Sequence, residues 1–111
     1  MKEIDYLALD GRSLRTFLTV LEESSVSAAA NRLGVTQSAV SHTLDKLRIA
    51  LGDPLFVRSG RGIEPTVRAE ALRDPVRALI DGLKALTDER VFDPLLGRLE
   101  FTIAANDFQR D

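Results

Sequence analysis

Within six residues, Gln37, Ser38, Ser41 and His42 gather a carboxamide, two hydroxyls and an imidazole. A carboxamide can meet adenine N6 and N7 with two bonds, a serine hydroxyl can bond to bases or phosphate, and an imidazole can donate to guanine. Side chains this short read a surface laid directly against their helix. Thr36, immediately before them, is a good N-cap residue, so the set opens a helix and stands at its positive end, where a phosphate is favoured.

The apolar residues around this set say how it is held. Val40, Leu44, Leu47 and Leu51 repeat at intervals of 4, 3 and 4 and should bury the opposite face of the same helix. Upstream, Ala28, Ala29, Ala30 and Leu33 form a second short helix whose alanines allow close approach. Gly34 falls where the chain must turn with positive φ, and Val35 is expected as the apolar plug of that turn. Ser24, Ser25 and Ser27 are turn and cap formers ahead of this helix. Leu14, Phe17, Leu18 and Leu21 mark a first helix over Gly11–Ser24, packed behind the other two. The layout is a helix-turn-helix. After it, Leu55–Arg58 and Gly62–Glu64 flank Ser59-Gly60-Arg61 as two short strands around a turn, a small basic hairpin. Phe17 and Phe56 belong to the core, and a module of about 60 residues lies near the lower limit for folding alone. The predicted fold class is mainly α: a winged helix-turn-helix of three helices plus a two-stranded wing, followed by a long dimerisation helix.

Bulk composition permits this reading and excludes others. The 111 residues are 44% hydrophobic and 29% charged, room for one ordinary domain with an appendage. The net charge of −2 is unusual for a nucleic-acid binder, but it is unevenly placed. Between Val26 and Thr66, Arg32, Lys46, Arg48, Arg58 and Arg61 outweigh Asp45, Asp53 and Glu64, a local surplus of +2. The absence of cysteine excludes disulfides, thiolate metal sites and a cysteine nucleophile. No apolar run approaches the roughly 18 residues of a membrane span, and the N-terminus has no signal-like segment, so a bacterial cytoplasmic protein is expected. One histidine, no phosphate-binding glycine loop and no carboxylate pair in an expected pocket argue against an enzyme. No metal or cofactor is expected.

Beyond the wing, Ala69, Leu72, Val76, Leu79, Leu83 and Leu86 follow spacings of 3, 4, 3, 4 and 3, the a/d rhythm of a coiled coil. With the preceding module's apolar faces already occupied, this stripe has no evident partner within the chain and is read as a dimer seam. Pro75 lies inside the pattern and either bends the helix or marks a restart with Asp74 as cap. Leu99–Ala105 alternates as a strand whose apolar face has nothing to cover it. It is expected to open a second domain, making the chain a fragment or a shortened form, with its last dozen residues disordered or paired with another chain.

The run Leu14, Phe17, Val20, Ala28-Ala29, Leu33, Val35-Thr36-Gln37-Ser38-Ala39-Val40-Ser41, Leu47, Leu51-Gly52 and Leu55-Phe56 with Arg58 resembles the N-terminal signature of LysR-type transcriptional regulators. The resemblance extends over roughly Arg12 to Phe108. It implies a winged helix-turn-helix, a linker helix that pairs two subunits, and then an effector domain. It also implies imperfectly palindromic promoter sites, with tetramers in full-length forms. The stretch Ile63–Leu72 departs from the usual Leu-Thr-x-Ala-Gly linker entry and resembles a branch responsive to aromatic acids or flavonoids. Arg48 stands where many relatives have glutamate, and His42 where arginine is frequent, which bears on the sequence preferred.

These readings give domains at 1–66, 67–90 and 91–111: the DNA-binding module, the linker helix, and a loop with the first strand of an effector-binding domain. The expected DNA contacts are Ser27, Thr36, Gln37, Ser38, Ser41, His42, Arg58, Arg61 and Thr66, with the wing on the backbone or the minor groove. His42 is either a base or phosphate donor or simply an exposed helical histidine. Arg58 is alternatively a salt-bridge partner of Asp53, leaving Arg61 as the purer phosphate contact. Leu72, Val76, Leu79, Leu83 and Leu86 form the expected dimer seam. The expected partners are double-stranded promoter DNA and a second copy, with no membrane, and a small-molecule effector only through the missing C-terminal domain. The rival reading is a truncated interaction module that forms mixed dimers with a full-length regulator.

Overall fold

The computed structural model describes residues 6, 9–60 and 62–88. The chain divides into two units, Met1–Ile80 and Asp81–Asp111, with the division falling inside the last described helix. Arg61 and the expected strand at Leu99–Ala105 lie outside the described residues.

Helix α1, Gly11–Glu23, begins at Asp10, whose carboxylate accepts from the Ser13 amide at 2.8 Å. That bond holds the Asp10 carboxyl below the usual carboxylate range. Leu14, Phe17, Leu18, Val20 and Leu21 are buried, so α1 is the central post of the module. It closes on Ser24 in the left-handed conformation, and the next residue, Ser25, caps α2, Val26–Leu33, accepting from the Ala28 amide at 3.1 Å. Ala29 and Ala30 are buried, and such small side chains let α2 lie close to its neighbours.

Gly34 ends α2 at φ +71°, where a side chain would be strained. Thr36 then caps α3, Gln37–Leu51, accepting from the Ala39 amide at 3.0 Å. Val40, Leu44 and Leu47 are buried as the 4-3 spacing requires, and half-buried Leu51 packs against the same core. Val35 departs from expectation. It remains 48% exposed, and what it gives the turn is its backbone, the amide donating to the Ala30 carbonyl at 3.0 Å.

Strands β1, Phe56–Ser59, and β2, Gly62–Pro65, pair antiparallel with Phe56 opposite Pro65 and Ser59 opposite Gly62. Leu55 falls outside β1 because its φ is +68°, yet its side chain is fully buried. The wing reaches the core through Phe56, whose ring lies 5.7 Å from that of Phe17. A Cβ on Gly62 would come within 3.3 Å of the Ser24 carbonyl oxygen, so the wing packs tightly on the α1–α2 corner.

The long helix expected over 67–90 is two helices, α4, Val67–Ala71, and α5, Arg73–Ala85, separated at Leu72. Pro75 is the third residue of α5, where its missing N–H is one of the donors a first turn leaves unpaired. The helix therefore restarts, but at Arg73, so that Asp74 lies within its first turn and does not cap it. Ala69 and Val76 belong to the buried core, with Leu72 and Ile80 packed against it. The view that this stripe had no partner within the chain is thereby corrected: α1, α2 and α3 leave apolar surface that the beginning of the stripe covers. Val76 and Leu72 serve the monomer's own core. Among the described residues, no helix is long and apolar enough to cross a membrane.

Candidate nucleic-acid interface

Val40, Leu44 and Leu47 are buried, and Gln37, Ser38, Ser41 and His42 are all exposed: Ser38 and His42 on the opposite face, Ser41 at its edge, and Gln37 at the helix start in line with the buried residues. None of these four side chains makes a hydrogen bond to the rest of the described residues. Thr36 also stands exposed at the helix start. Its hydroxyl oxygen accepts the Ala39 amide, which leaves the hydroxyl hydrogen free to donate. Small, unpartnered donors and acceptors thus surround a helix N-terminus whose amides favour negative charge.

Gln37 also edges a groove shared with Ser25 and Ser27 of the α2 start and Arg58 of the wing, with Leu44 and Phe56 at its floor. Three of the residues singled out from sequence, Ser27, Gln37 and Arg58, therefore meet along one groove. The Ser27 hydroxyl lies 3.2 Å from that of Ser25. Arg48 lines the groove as well, but its guanidinium is engaged by Asp45 and by the Pro54 carbonyl at 2.9 Å.

Two wing residues resolve differently from their sequence reading. Arg58 has no ion pair among the described residues, and Asp53, its suggested partner, is committed elsewhere. The Asp53 carboxylate accepts from the Thr66 hydroxyl at 2.7 Å and from the Leu55 amide at 2.8 Å, and these bonds depress its pKa. The salt-bridge alternative for Arg58 is corrected accordingly. Thr66, half-buried, caps α4 through the Ala69 amide at 3.1 Å while donating to Asp53. Its hydroxyl holds the wing base together, which accounts for threonine there without any ligand.

Lys46 entered the sequence reading only through the local charge surplus and not as a contact residue. It is exposed on α3 one turn beyond His42, without an ion pair among the described residues, and close enough to Asp10 to lower its pKa. Its i+4 spacing from His42 was the available signal. On α5, Leu79 is 58% exposed in the first unit; in the second, Leu83 is 48% exposed and Leu86, just past the helix, 65%. No group of three or more potential metal-ligating side chains occurs among the described residues.

Three helices with a hairpin packed on them, and a polar face on the third, define a winged helix-turn-helix. Residues 12–70 match the family described as bacterial regulatory helix-turn-helix protein, lysR family, and the chain belongs to that family. It is 44% identical over 100 residues to the HTH-type transcriptional activator NahR of Pseudomonas putida, an alignment covering 89% of this chain and 33% of the relative. To nodulation protein D 1 of a Bradyrhizobium strain it is 34% identical over 104 residues, covering 93% and 33% of the two chains. A crystal structure of a CbnR DBD–DNA complex is similar at a TM-score of 0.68 and 32% identity, covering 74% of this chain and 94% of that one. The chain spans about a third of the length of these curated relatives.

Proposed function

We propose that this chain binds double-stranded promoter DNA as the DNA-reading part of a LysR-type transcriptional regulator, with α3 in the major groove. The observation that carries the reading is the start of α3, where Gln37, Ser38, Ser41 and His42 are exposed with no partner of their own. Gln37 meets an adenine edge, Ser38 and Ser41 bond to bases or phosphate, and His42 donates to guanine or phosphate. Arg58 lies on the backbone or in the adjacent minor groove, with Arg61 as a second wing contact, and Ser27 and Thr36 approach phosphates. Thr66 is retained only as a candidate backbone contact, since its hydroxyl already serves Asp53. The solved DNA complex of a similar domain supports DNA as the partner.

A dimer completes the reading. Exposed leucines at 79, 83 and 86 keep the 4-3 spacing of a helix–helix seam, and a second copy is the occupant that such a self-complementary stripe suits. The two copies engage an imperfect palindrome. Catalysis is not part of this function, and the cytoplasm is its setting. Small-molecule control, by an aromatic acid or flavonoid as the Ile63–Leu72 sequence suggests, would act through the portion of the relatives that this chain does not span. No observation favours the mixed-dimer alternative.

Selection of bound sequences from a random duplex pool tests the proposal. Enrichment of a two-fold related motif is the expected result. Recovery of no motif, with binding governed by salt alone, would refute it.

A further inference from the structure

We infer that Glu22 is a positioning residue: by holding Arg77 of α5 while it holds Arg32 of α2, it sets the angle at which the start of α5, through Ile80, lies on α1 and α2 and so the separation of half-sites a dimer accepts. This inference rests on the dimeric reading above. The two oxygens of the carboxylate are divided between the arginines. Oε1 accepts from Arg32 Nη1 at 2.8 Å, and Oε2 accepts from Arg77. The Glu22 side chain is only 23% exposed, whereas those of Arg32 and Arg77 are about half exposed, so the acid is the fixed member of the set. Among the described residues, Arg77–Glu22 is the one ion pair between α5 and the α1–α3 module.

The apolar contact beneath it is small. Val76 is the buried residue of α5, with Leu72 and Ile80 packed nearby, and packing of helix ridges into grooves leaves a scatter of roughly 15–20° in crossing angle. A charge-assisted hydrogen bond does have direction. Arg73, one turn earlier, also feels the Glu22 charge. Leu79, two residues beyond Arg77, is exposed on the same stretch, so a tilt there is transmitted to any partner copy. Duplex DNA reports such a tilt sharply, since one base pair advances a half-site by about 3.4 Å and rotates it by about a tenth of a turn.

The test compares the 111-residue chain with its Arg77→Gln and Arg32→Gln forms on palindromes whose spacer differs by one or two base pairs, and on a single half-site. Both half-sites come from the pool selection. In Arg77→Gln, affinity for the single half-site should be unchanged, while the penalty for a one-base-pair spacer change falls by about two- to fivefold, the scale of an exposed ion pair. Arg32→Gln should leave that penalty as it is. A penalty retained in Arg77→Gln, or an equal fall in Arg32→Gln, overturns the inference. A wild-type chain that sediments as a monomer and selects only single half-sites refutes the dimeric reading itself, and this inference with it.

Discussion

Helices α3 and α5 are similar in length, and each lays one face on the core, yet they leave opposite things unpartnered. At the start of α3 the free groups, Gln37, Ser38, Ser41 and His42, are short and polar, while Arg48 near its end is tied to Asp45 and the Pro54 carbonyl. On α5 the charged groups near the start are tied, Arg73 to Glu70 and Arg77 to Glu22, and the exposed large residues are Leu79 and Leu83. Exposed serines cost nothing in water and would mean little without the helix start and groove around them. Exposed leucines do cost: fully burying one gains roughly 1.5–3 kcal/mol, and about half of that is still open at Leu79 and Leu83. The start of α3 thus suits a hydrated, charged surface, and the stretch of α5 that carries Leu79 and Leu83 suits an apolar one.

The largest way to break this contrast is to charge the second surface. Leu79→Lys with Leu83→Lys should convert the proposed dimer to monomer in sedimentation and lower affinity for a paired site by about 10²–10⁴, the gain that linkage of two sites supplies. The next largest effect compares two positions on α3 itself. Leu44→Ala, at a buried position, should cost about 2–5 kcal/mol in chemical denaturation. Ile49→Ala, on the same helix but 83% exposed, should stay within about 0.5 kcal/mol.

Smaller effects separate reading from holding. Gln37→Ala should cost about 1–3 kcal/mol and relax choice at one base position in repeated selections. Arg58→Ala should weaken all duplexes alike and reduce the salt slope by about 1, as measured by titration at several salt concentrations. The smallest effect is on acid stability. Ser13 holds the Asp10 carboxyl low and Thr66 holds that of Asp53 low. Burial opposes ionisation of Glu22, but Arg32 and Arg77 outweigh it. Folded pKa values below the unfolded ones mean this stability is fully present above the unfolded values, near 4, and is lost as pH falls through the folded ones. Asp53→Asn should shrink that acid-side loss in thermal melts taken from pH 6 to pH 3.

Much of α1 to α3 was legible in the sequence because its signals are local. Thr36 caps the helix it precedes, Gly34 takes the positive φ the turn needs, and 4-3 spacing at Val40, Leu44 and Leu47 names the buried face. The same spacing turns Ser38 and His42 away from the stripe, with Ser41 at its flank; Gln37, three residues before Val40 and seven before Leu44, lies along the stripe and is exposed at the helix start. Periodicity says that a face is buried, not what buries it, and Val76 shows the difference. The Asp53–Thr66 bond joins residues 13 apart and the Glu22–Arg77 pair residues 55 apart, beyond any local pattern. Leu55 escaped for another reason, since a leucine gives no hint of a left-handed backbone.

That leucine has a consequence for how the position tolerates change. Its amide is claimed by Asp53 and its carbonyl by the Thr66 amide, while its side chain fills the interior. Isoleucine and valine, ordinarily its gentlest replacements, carry a branch at Cβ that suits such a backbone worst. Asparagine or glycine would accept the twist and forfeit the packing. Each conservative exchange thus gives up one of the two requirements that a single unbranched side chain meets here.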